Sequence, residues 1–160
     1  MTFTVELHKE SFKFSGTHFT IFGAGRAERL HGHNYHVKAS LVLDQIDPEL
    51  GMAFDFNAVK PLLKAECEAL DEYVLLPSQS PHLKISDEGD NVEVQFGKKT
   101  YVFPRSDVRE LPVVNVTSEE LAKYFCDRLI PQIKGLAVNF IEITVEETRG
   151  QSVRYSAKVN

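Results

Sequence analysis

The stretch ERLHGHNY, residues Glu28–Tyr35, decides how this chain can fold and what it can bind. Its two histidines open an alternating apolar run that predicts a strand from about His31 to Leu43. Successive side chains of a strand point to opposite faces, so His31 and His33 are expected on the same face. A third histidine, His18, ends an earlier strand-like run, in phase with its apolar side.

Three neutral imidazoles and one open coordination position are the ligand set of a catalytic zinc site. His18, His31 and His33 are therefore the candidate ligands of a Zn²⁺ cofactor, the alternative being structural or surface histidines. Zinc is favoured because imidazole suits it and nothing else in the sequence implies redox chemistry. In that role the ion would polarise an oxygen atom of the substrate.

Composition predicts a single globular domain over residues 1–160, because 160 residues with 42% hydrophobic content can bury a sizeable core. No apolar run is long enough to span a membrane, and the first residues lack the apolar segment of a signal peptide. The net charge of -5 argues against a general nucleic-acid surface. Cys67 and Cys126 fall in helical patterns and are expected as buried, reduced thiols. A cytoplasmic location is therefore the expectation.

The order of the patterns predicts an α+β fold. An alternating strand over 3–18, bent near Lys9-Glu10, precedes the strand that carries the histidine pair. A helix capped by Asp55 or Asn57 is expected to run to about Asp71, and two further strands follow from about residue 137. Antiparallel strand pairs with both helices on one face form two layers. The edge strands would stay open unless another subunit pairs with them.

Two further segments complete this prediction. Residues 77–113 are read as an insertion with its own hairpin, formed by Asn91–Phe96 and Thr100–Phe103. Thr117 opens a capping box, T-S-E-E, and so predicts the start of a second helix that runs to about Gln132.

Two glutamates are candidates for chemistry. Glu28 lies three residues before His31, where it is either a general base beside the metal or a solvated loop charge. Glu147 is in phase with branched apolar residues of a predicted strand. It either accepts two hydrogen bonds from an amidine-like ring edge or forms an ion pair with Arg149 or Arg154.

The sequence resembles the family of 6-pyruvoyltetrahydropterin and 6-carboxytetrahydropterin synthases. HGHNY followed by GMxxDF is the most specific part of the likeness, which covers most of the chain outside 77–113. The segments that carry it are Phe14–His18, His31–Tyr35, Gly51–Phe56, Thr117–Ala122 and Glu147-Thr148.

The resemblance implies the tunnelling fold (T-fold), with a four-stranded antiparallel sheet in each subunit and sheets joined between subunits into a barrel. It implies a homohexamer, a dimer of trimers, with active sites between subunits and 7,8-dihydroneopterin triphosphate as the usual substrate. His18, His31 and His33 fall on the zinc ligands of that family. Glu147 falls on its pterin anchor, Thr117 lies in a matching substrate-side motif, and Asp71 matches the catalytic aspartate.

Two positions depart from the synthases. No cysteine lies shortly before HGH, and the family's Asp-His pair reads Asp71-Glu72. The E-x-x-H-G-H pattern from Glu28 instead resembles the branch in which glutamate replaces the cysteine. Those enzymes cleave the C6 side chain to give 6-hydroxymethyl-7,8-dihydropterin, a folate precursor. Glu28 would then remove a hydroxyl proton before a retro-aldol cleavage.

Three hypotheses therefore stay open. The first is a zinc-dependent lyase that cleaves the pterin side chain. The second is a 6-carboxy- or 6-pyruvoyl-tetrahydropterin synthase, of the queuosine or biopterin type, with a rearranged proton relay. The third is a zinc-containing oligomer that binds pterins without turnover.

Overall fold

The computed structural model describes residues 2–159 of the chain. Runs of three, five and two strands are separated by two α-helices, as expected for an α+β protein, and short 3₁₀ turns occupy Phe56–Ala58 and Arg105–Asp107. The elements are β1 (Phe3–Leu7), β2 (Lys13–His18), β3 (His31–Leu43), α1 (Lys60–Glu68), β4 (Tyr73–Pro77), β5 (Lys84–Glu88), β6 (Asn91–Phe96), β7 (Lys99–Pro104), β8 (Val108–Leu111), α2 (Ser118–Ile133), β9 (Phe140–Thr148) and β10 (Gln151–Lys158).

The long strand β3 is the centre of the main sheet. It pairs antiparallel with β9, with β2 through its first half and with β1 through its second half, and β10 pairs antiparallel with β9. The predicted bend is a turn closed by Phe12 N donating to Lys9 O at 2.9 Å, and it separates β1 from β2. The four-stranded antiparallel core is thus confirmed, with its first strand in two parts.

The sheet is larger than the predicted four strands. β4 pairs parallel with β2, and β8 pairs parallel with β4, so seven strands form one sheet. The sequence YVLLP of β4 does not alternate, because the strand is covered on both faces. Leu75 packs into the main core, whereas Leu76 packs against Val92 and Val94 of a second sheet.

That second sheet corrects the prediction for residues 77–113. The hairpin of β6 and β7 is present, with Phe96 paired to Lys99 across the turn at Gly97. However, β5 adds a third strand, and β8 belongs to the main sheet. A single hairpin was therefore too simple a description of this region.

The first helix is shorter than predicted. Asp55 caps the 3₁₀ turn, where its side chain accepts a hydrogen bond from Asn57 N, and α1 begins only at Lys60 with Pro61 in its first turn. It ends at Glu68, three residues before the predicted end. No helix among the described residues is long and apolar enough to cross a membrane.

The second helix, α2, follows the prediction closely. Thr117 is its N-cap and accepts a hydrogen bond from Glu120 N at 3.4 Å. Both helices pack on the face of β3 that carries Tyr35 and Val37, together with the buried, free thiols Cys67 and Cys126. His31 and His33 therefore lie on the helix-covered face of the sheet, at the end where the core opens to solvent.

Candidate metal centre

Strand register brings the three candidate histidines together. β2 pairs with β3 so that His18 lies directly opposite His31, and His33 follows two residues later on the same face. The Nε2 atoms of His31 and His33 are 2.9 Å apart, and the three potential ligand atoms all lie within 4.8 Å of one another. His18 is buried, and the other two rings are half-buried at the opening.

Hydrogen bonds to main-chain carbonyls orient two of these rings. His18 Nδ1 lies 2.9 Å from Val116 O, and His31 Nδ1 lies 2.8 Å from Arg29 O. A carbonyl oxygen can only accept, so each Nδ1 carries the proton and each Nε2 presents a lone pair to the cluster. Burial lowers the pKa of His18, which favours the neutral ring that a metal requires, against opposing contributions from Val116 and Glu147.

The geometry of this donor set fits a zinc ion. Tetrahedral zinc with Zn–N bonds of about 2.0–2.1 Å places its nitrogen ligands roughly 3.4 Å apart. The separations between the ligand atoms bracket that value, so the three nitrogens could hold the ion and leave it a coordination position for another ligand.

Glu147 lies at the edge of the histidine cluster. Its Oε1 atom accepts a hydrogen bond from the Tyr35 hydroxyl at 3.0 Å and lies 3.4 Å from His18 Nε2 and 3.7 Å from His33 Nε2. Of the two arginines considered as ion-pair partners, Arg154 binds Glu142 instead. Glu147 therefore faces the site and not the outer edge of the sheet.

Tyr35 is a site residue that the sequence reasoning missed. It is fully buried and stacks on Phe14 with ring centroids 4.8 Å apart, and its hydroxyl also lies 3.1 Å from His18 Nε2. Burial raises the pKa of Tyr35, so the hydroxyl keeps its proton and can donate to Glu147. A signal was available, because a tyrosine in phase with His33 on a buried face needs a polar partner.

Glu28 is held beside the cluster by the loop between β2 and β3. Its main-chain N donates to Thr20 O at 3.0 Å, and its Oε2 accepts from Thr20 N at 3.0 Å. The same oxygen lies 3.9 Å from His31 Nε2. Partial burial raises the pKa of Glu28, but the hydrogen bonds from Thr20 outweigh this effect, so the net shift is downward. The carboxylate is thus ionised and able to accept a proton.

Asp71 lies in the turn between α1 and β4, beside β2. Its Oδ1 accepts a hydrogen bond from Ser15 N at 2.7 Å, and Glu72 N donates to Ser15 O at 2.7 Å. Glu72 adopts a φ of 64°, and this left-handed conformation allows both residues of the turn to hydrogen-bond to Ser15 of β2. Within residues 2–159, no hydrogen bond or ion pair joins Asp71 to the histidines or to Glu28. A catalytic role for Asp71 stays a prediction.

An open pocket adjoins the cluster. Its volume is about 640 Å³, and Thr117 and Glu147, the two predicted substrate residues, both line it. Phe22 and Asn115 form other parts of its wall. A cavity of this size with a few convergent polar groups suits a small-molecule ligand.

Comparisons with known proteins agree on one family. The family model described as 6-pyruvoyl tetrahydropterin synthase matches residues 6–158. A protein of Methanocaldococcus jannaschii, provisionally named 6-carboxy-5,6,7,8-tetrahydropterin synthase, is 30% identical over 146 residues, covering 89% of this chain and 88% of the relative.

Solved structures give the same result. The crystal structure of 6-pyruvoyl tetrahydropterin synthase from Plasmodium vivax matches with a TM-score of 0.92 and 30% identity over 99% of both chains. A variant of that protein, described as a catalytic-residue mutant in which alanine replaces glutamate, matches with a TM-score of 0.91 and 29% identity, again over 99% of both chains.

Proposed function

This chain belongs to the 6-pyruvoyl tetrahydropterin synthase family, and we propose that it is a zinc-dependent lyase of 7,8-dihydroneopterin triphosphate. Its product would be 6-hydroxymethyl-7,8-dihydropterin, a precursor of folate. The observation that carries this choice of reaction is Glu28, an ionised carboxylate 3.9 Å from His31 Nε2, at the place before HGH where the resemblance implies a cysteine in the synthases.

The cofactor in this proposal is Zn²⁺, held by the Nε2 atoms of His18, His31 and His33. Bound there, it would polarise an oxygen of the substrate side chain and so make the neighbouring hydroxyl more acidic. The remaining steps depend on side chains of this protein.

Recognition of the pterin ring is assigned to the pocket beside the cluster. The Glu147 carboxylate is suited to accept two N–H bonds from the amidine-like edge of a pterin, since a carboxylate offers about four lone-pair sites. The Tyr35 hydroxyl uses one of these sites and so limits rotation of the carboxylate. Thr117, at the N-terminus of α2, lines the same pocket and supplies a further polar contact.

The bond cleavage is assigned to Glu28. Its carboxylate removes the proton of the hydroxyl on the second side-chain carbon, and that carbon becomes an aldehyde as its bond to the first carbon breaks. The electron pair passes into the conjugated pterin ring and returns when the first carbon takes up a proton. The products are 6-hydroxymethyl-7,8-dihydropterin and a two-carbon aldehyde that retains the triphosphate.

Two observations support glutamate over cysteine in this role. Burial raises the pKa of both Cys67 and Cys126 to about 12, and both thiols are enclosed in the core, so neither is suited to proton transfer. In addition, the Plasmodium vivax variant is described as altering a catalytic glutamate, which is a property of that protein and agrees with the role given to Glu28.

The second candidate is a 6-carboxy- or 6-pyruvoyl-tetrahydropterin synthase with a rearranged relay. The name of the Methanocaldococcus jannaschii relative favours the 6-carboxy reaction. The third, a zinc-containing oligomer that binds pterins without turnover, would give tight pterin binding and no product.

Product identification separates these candidates. The metal-loaded protein is incubated with 7,8-dihydroneopterin triphosphate and the pterins are resolved by chromatography. We expect 6-hydroxymethyl-7,8-dihydropterin, lost in Glu28→Gln but not in Glu49→Gln, which changes an exposed glutamate of a distant turn. A Glu28→Gln protein as active as its parent would refute the base assignment, and a 6-carboxy or 6-pyruvoyl product would select the synthase. Freshly purified protein without zinc would refute both enzyme hypotheses in their present form.

We further propose a homohexamer, a dimer of trimers, in the cytoplasm. β10 and β8 are the two ends of the main strand order, and an open edge invites pairing with another chain. Light scattering should give six times the 18.1 kDa mass of the chain. A monomer at micromolar concentration would contradict this assembly.

A further inference from the structure

Asn115 makes a set of hydrogen bonds that the proposed reaction has not yet used. Its Oδ1 accepts from Ile21 N at 3.1 Å, and its Nδ2 donates to Ile21 O at 2.9 Å. The same Oδ1 also accepts from Val116 N at 3.1 Å. The side-chain amide therefore pairs with both main-chain groups of Ile21, as a neighbouring strand would. These partners are 94 residues apart in sequence.

Ile21 belongs to the loop that carries Glu28. Phe22 N donates to Arg26 O at 2.8 Å, and Ile21 forms an isolated bridge with Ala27, so residues 20–28 close into a small hairpin, the Glu28 hairpin. The carboxylate of Glu28 is held by Thr20 N, the residue directly before Ile21. Any shift of the main chain at Ile21 therefore moves the hydrogen-bond donor of the Glu28 carboxylate.

The segment that contains Asn115 also contacts the metal cluster. Val116 O accepts the proton of His18 Nδ1 at 2.9 Å, and Thr117 begins α2 as its N-cap. Val116 is fully buried, whereas Asn115 is half-buried on the pocket wall. One short segment thus fixes the orientation of a candidate zinc ligand and, through the Asn115 amide, the base of the Glu28 hairpin.

We propose that Asn115 is a positioning residue that ties the Glu28 hairpin to the start of α2. It acts through the Glu28 carboxylate, which it keeps beside His31 Nε2 during turnover. This inference rests on the proposed role of Glu28, but not on which pterin product is formed. Main-chain groups use both lone pairs of Oδ1 and one of the two N–H groups of Nδ2, so a single N–H remains for any substrate contact.

The proposal predicts which kinetic constant changes. Removing the Asn115 amide leaves the pterin anchor Glu147 in place but frees the hairpin, and misplacing a catalytic group by about 1 Å can cost roughly 100-fold in rate. For Asn115→Ala we therefore expect kcat to fall about 10- to 100-fold with less than a threefold change in KM. A direct substrate contact would instead raise KM.

A double-mutant cycle tests whether Asn115 acts through Glu28. We expect Asn115→Ala to lower the residual kcat of Glu28→Gln less than twofold, because the group that it positions has gone. An equal fold-loss in both backgrounds would overturn the proposal. The matched control is Asn139→Ala, which removes an amide bond to Asp44 at 2.6 Å and should leave kcat unchanged.

The kinetic test can be adapted if the alanine variant does not fold or if the product differs from the one proposed. If Asn115→Ala does not fold, Asn115→Asp replaces it: its carboxylate can still accept from Ile21 N and Val116 N, but it turns the donor to Ile21 O into an oxygen that repels that carbonyl, so the hairpin should again be released. If the wild type makes a different pterin, the proposed product is wrong, but the double-mutant cycle of Asn115 and Glu28 can still be measured by the formation of that other product.

Amide hydrogen exchange tests whether Asn115 holds the Glu28 hairpin and does not require enzyme activity. Exchange of a peptide covering residues 19–30 should increase at least tenfold in Asn115→Ala, while a peptide inside α2 stays protected. Unchanged exchange over 19–30 would overturn the proposal whatever the enzyme makes. If the wild-type protein shows no turnover at all, this measurement alone decides between the two outcomes.

Discussion

The Tyr35→Phe substitution tests whether the buried hydroxyl orients Glu147, the proposed pterin anchor. The change removes one oxygen atom and leaves the ring, so its stacking on Phe14 at 4.8 Å is kept. What is lost is the hydrogen bond to Glu147 Oε1 at 3.0 Å and the contact with His18 Nε2 at 3.1 Å. The fold and the donor set of the histidines should therefore persist.

The size of the effect follows from the exposure of the partner. A hydrogen bond to a charged group contributes about 1.5–3 kcal/mol to stability, and the same free energy sets an upper limit of roughly 10- to 150-fold on the affinity lost when Glu147 is no longer held in its binding orientation. The side chain of Glu147 is 27% exposed, so water can replace part of the lost bond and the lower end applies. We expect pterin to bind about tenfold more weakly, and the melting temperature to fall by roughly 3–6 °C for a loss of about 1.5 kcal/mol.

Titration calorimetry with 7,8-dihydroneopterin measures the affinity, and atomic emission measures the zinc content of the same samples. Tyr155→Phe, on β10, is the matched control and should bind pterin like the wild type. An unchanged Kd in Tyr35→Phe would refute the idea that this hydroxyl positions Glu147. A loss of zinc with the same loss of pterin binding would show that the hydroxyl acts through His18 instead.

Three other predictions concern the thiols, the core and the metal. Because burial raises the pKa of Cys67 and Cys126 to about 12, both thiols should react with iodoacetamide at pH 8 only after unfolding, and rapid alkylation of the folded protein would contradict this. Replacing either cysteine by alanine should leave kcat within about twofold. Gly16→Ala places a methyl group 2.8 Å from Leu75 Cδ1, so the free energy of unfolding measured in urea should fall by about 1–3 kcal/mol. The double variant Gly16→Ala/Leu75→Val should recover part of this loss, and simple additivity of the two single substitutions would argue against a direct clash. Dialysis against a chelator should lower the melting temperature and added zinc should restore it, because an ion that binds only the folded state stabilises that state. The His33→Ala variant should show no such response, and an equal response to zinc would remove His33 from the ligand set.

Local periodicity accounts for the parts of the fold that were predicted well. The period of two in β3 depends only on strand geometry, and the burial of Tyr35, Val37 and Ala39 follows it. The N-terminus of α2 was predictable because a cap is a contact within one helical turn. Both are interactions between residues close in sequence.

The missed strands had a different cause. Leu75 and Leu76 of β4 are both buried, one in each of two separate cores, so the strand shows no alternation. A short apolar run without periodicity cannot be separated from the end of a helix or a loop. Asp71 illustrates the same limit, because its place beside Ser15 depends on the parallel pairing that was not predicted.

By itself, the sequence determined the types of side chain available and their spacing along each strand, so that His31 and His33 share a face wherever β3 lies. It also determined that a glutamate, and no cysteine, precedes them. Only the tertiary structure decided which distant groups meet there: Glu147 at Tyr35, 112 residues away, and Asn115 at Ile21, 94 residues away. The physical reason is that the spacing of side chains along one element follows from backbone geometry, whereas contacts between residues distant in sequence depend on strand register and on the burial that selects the register.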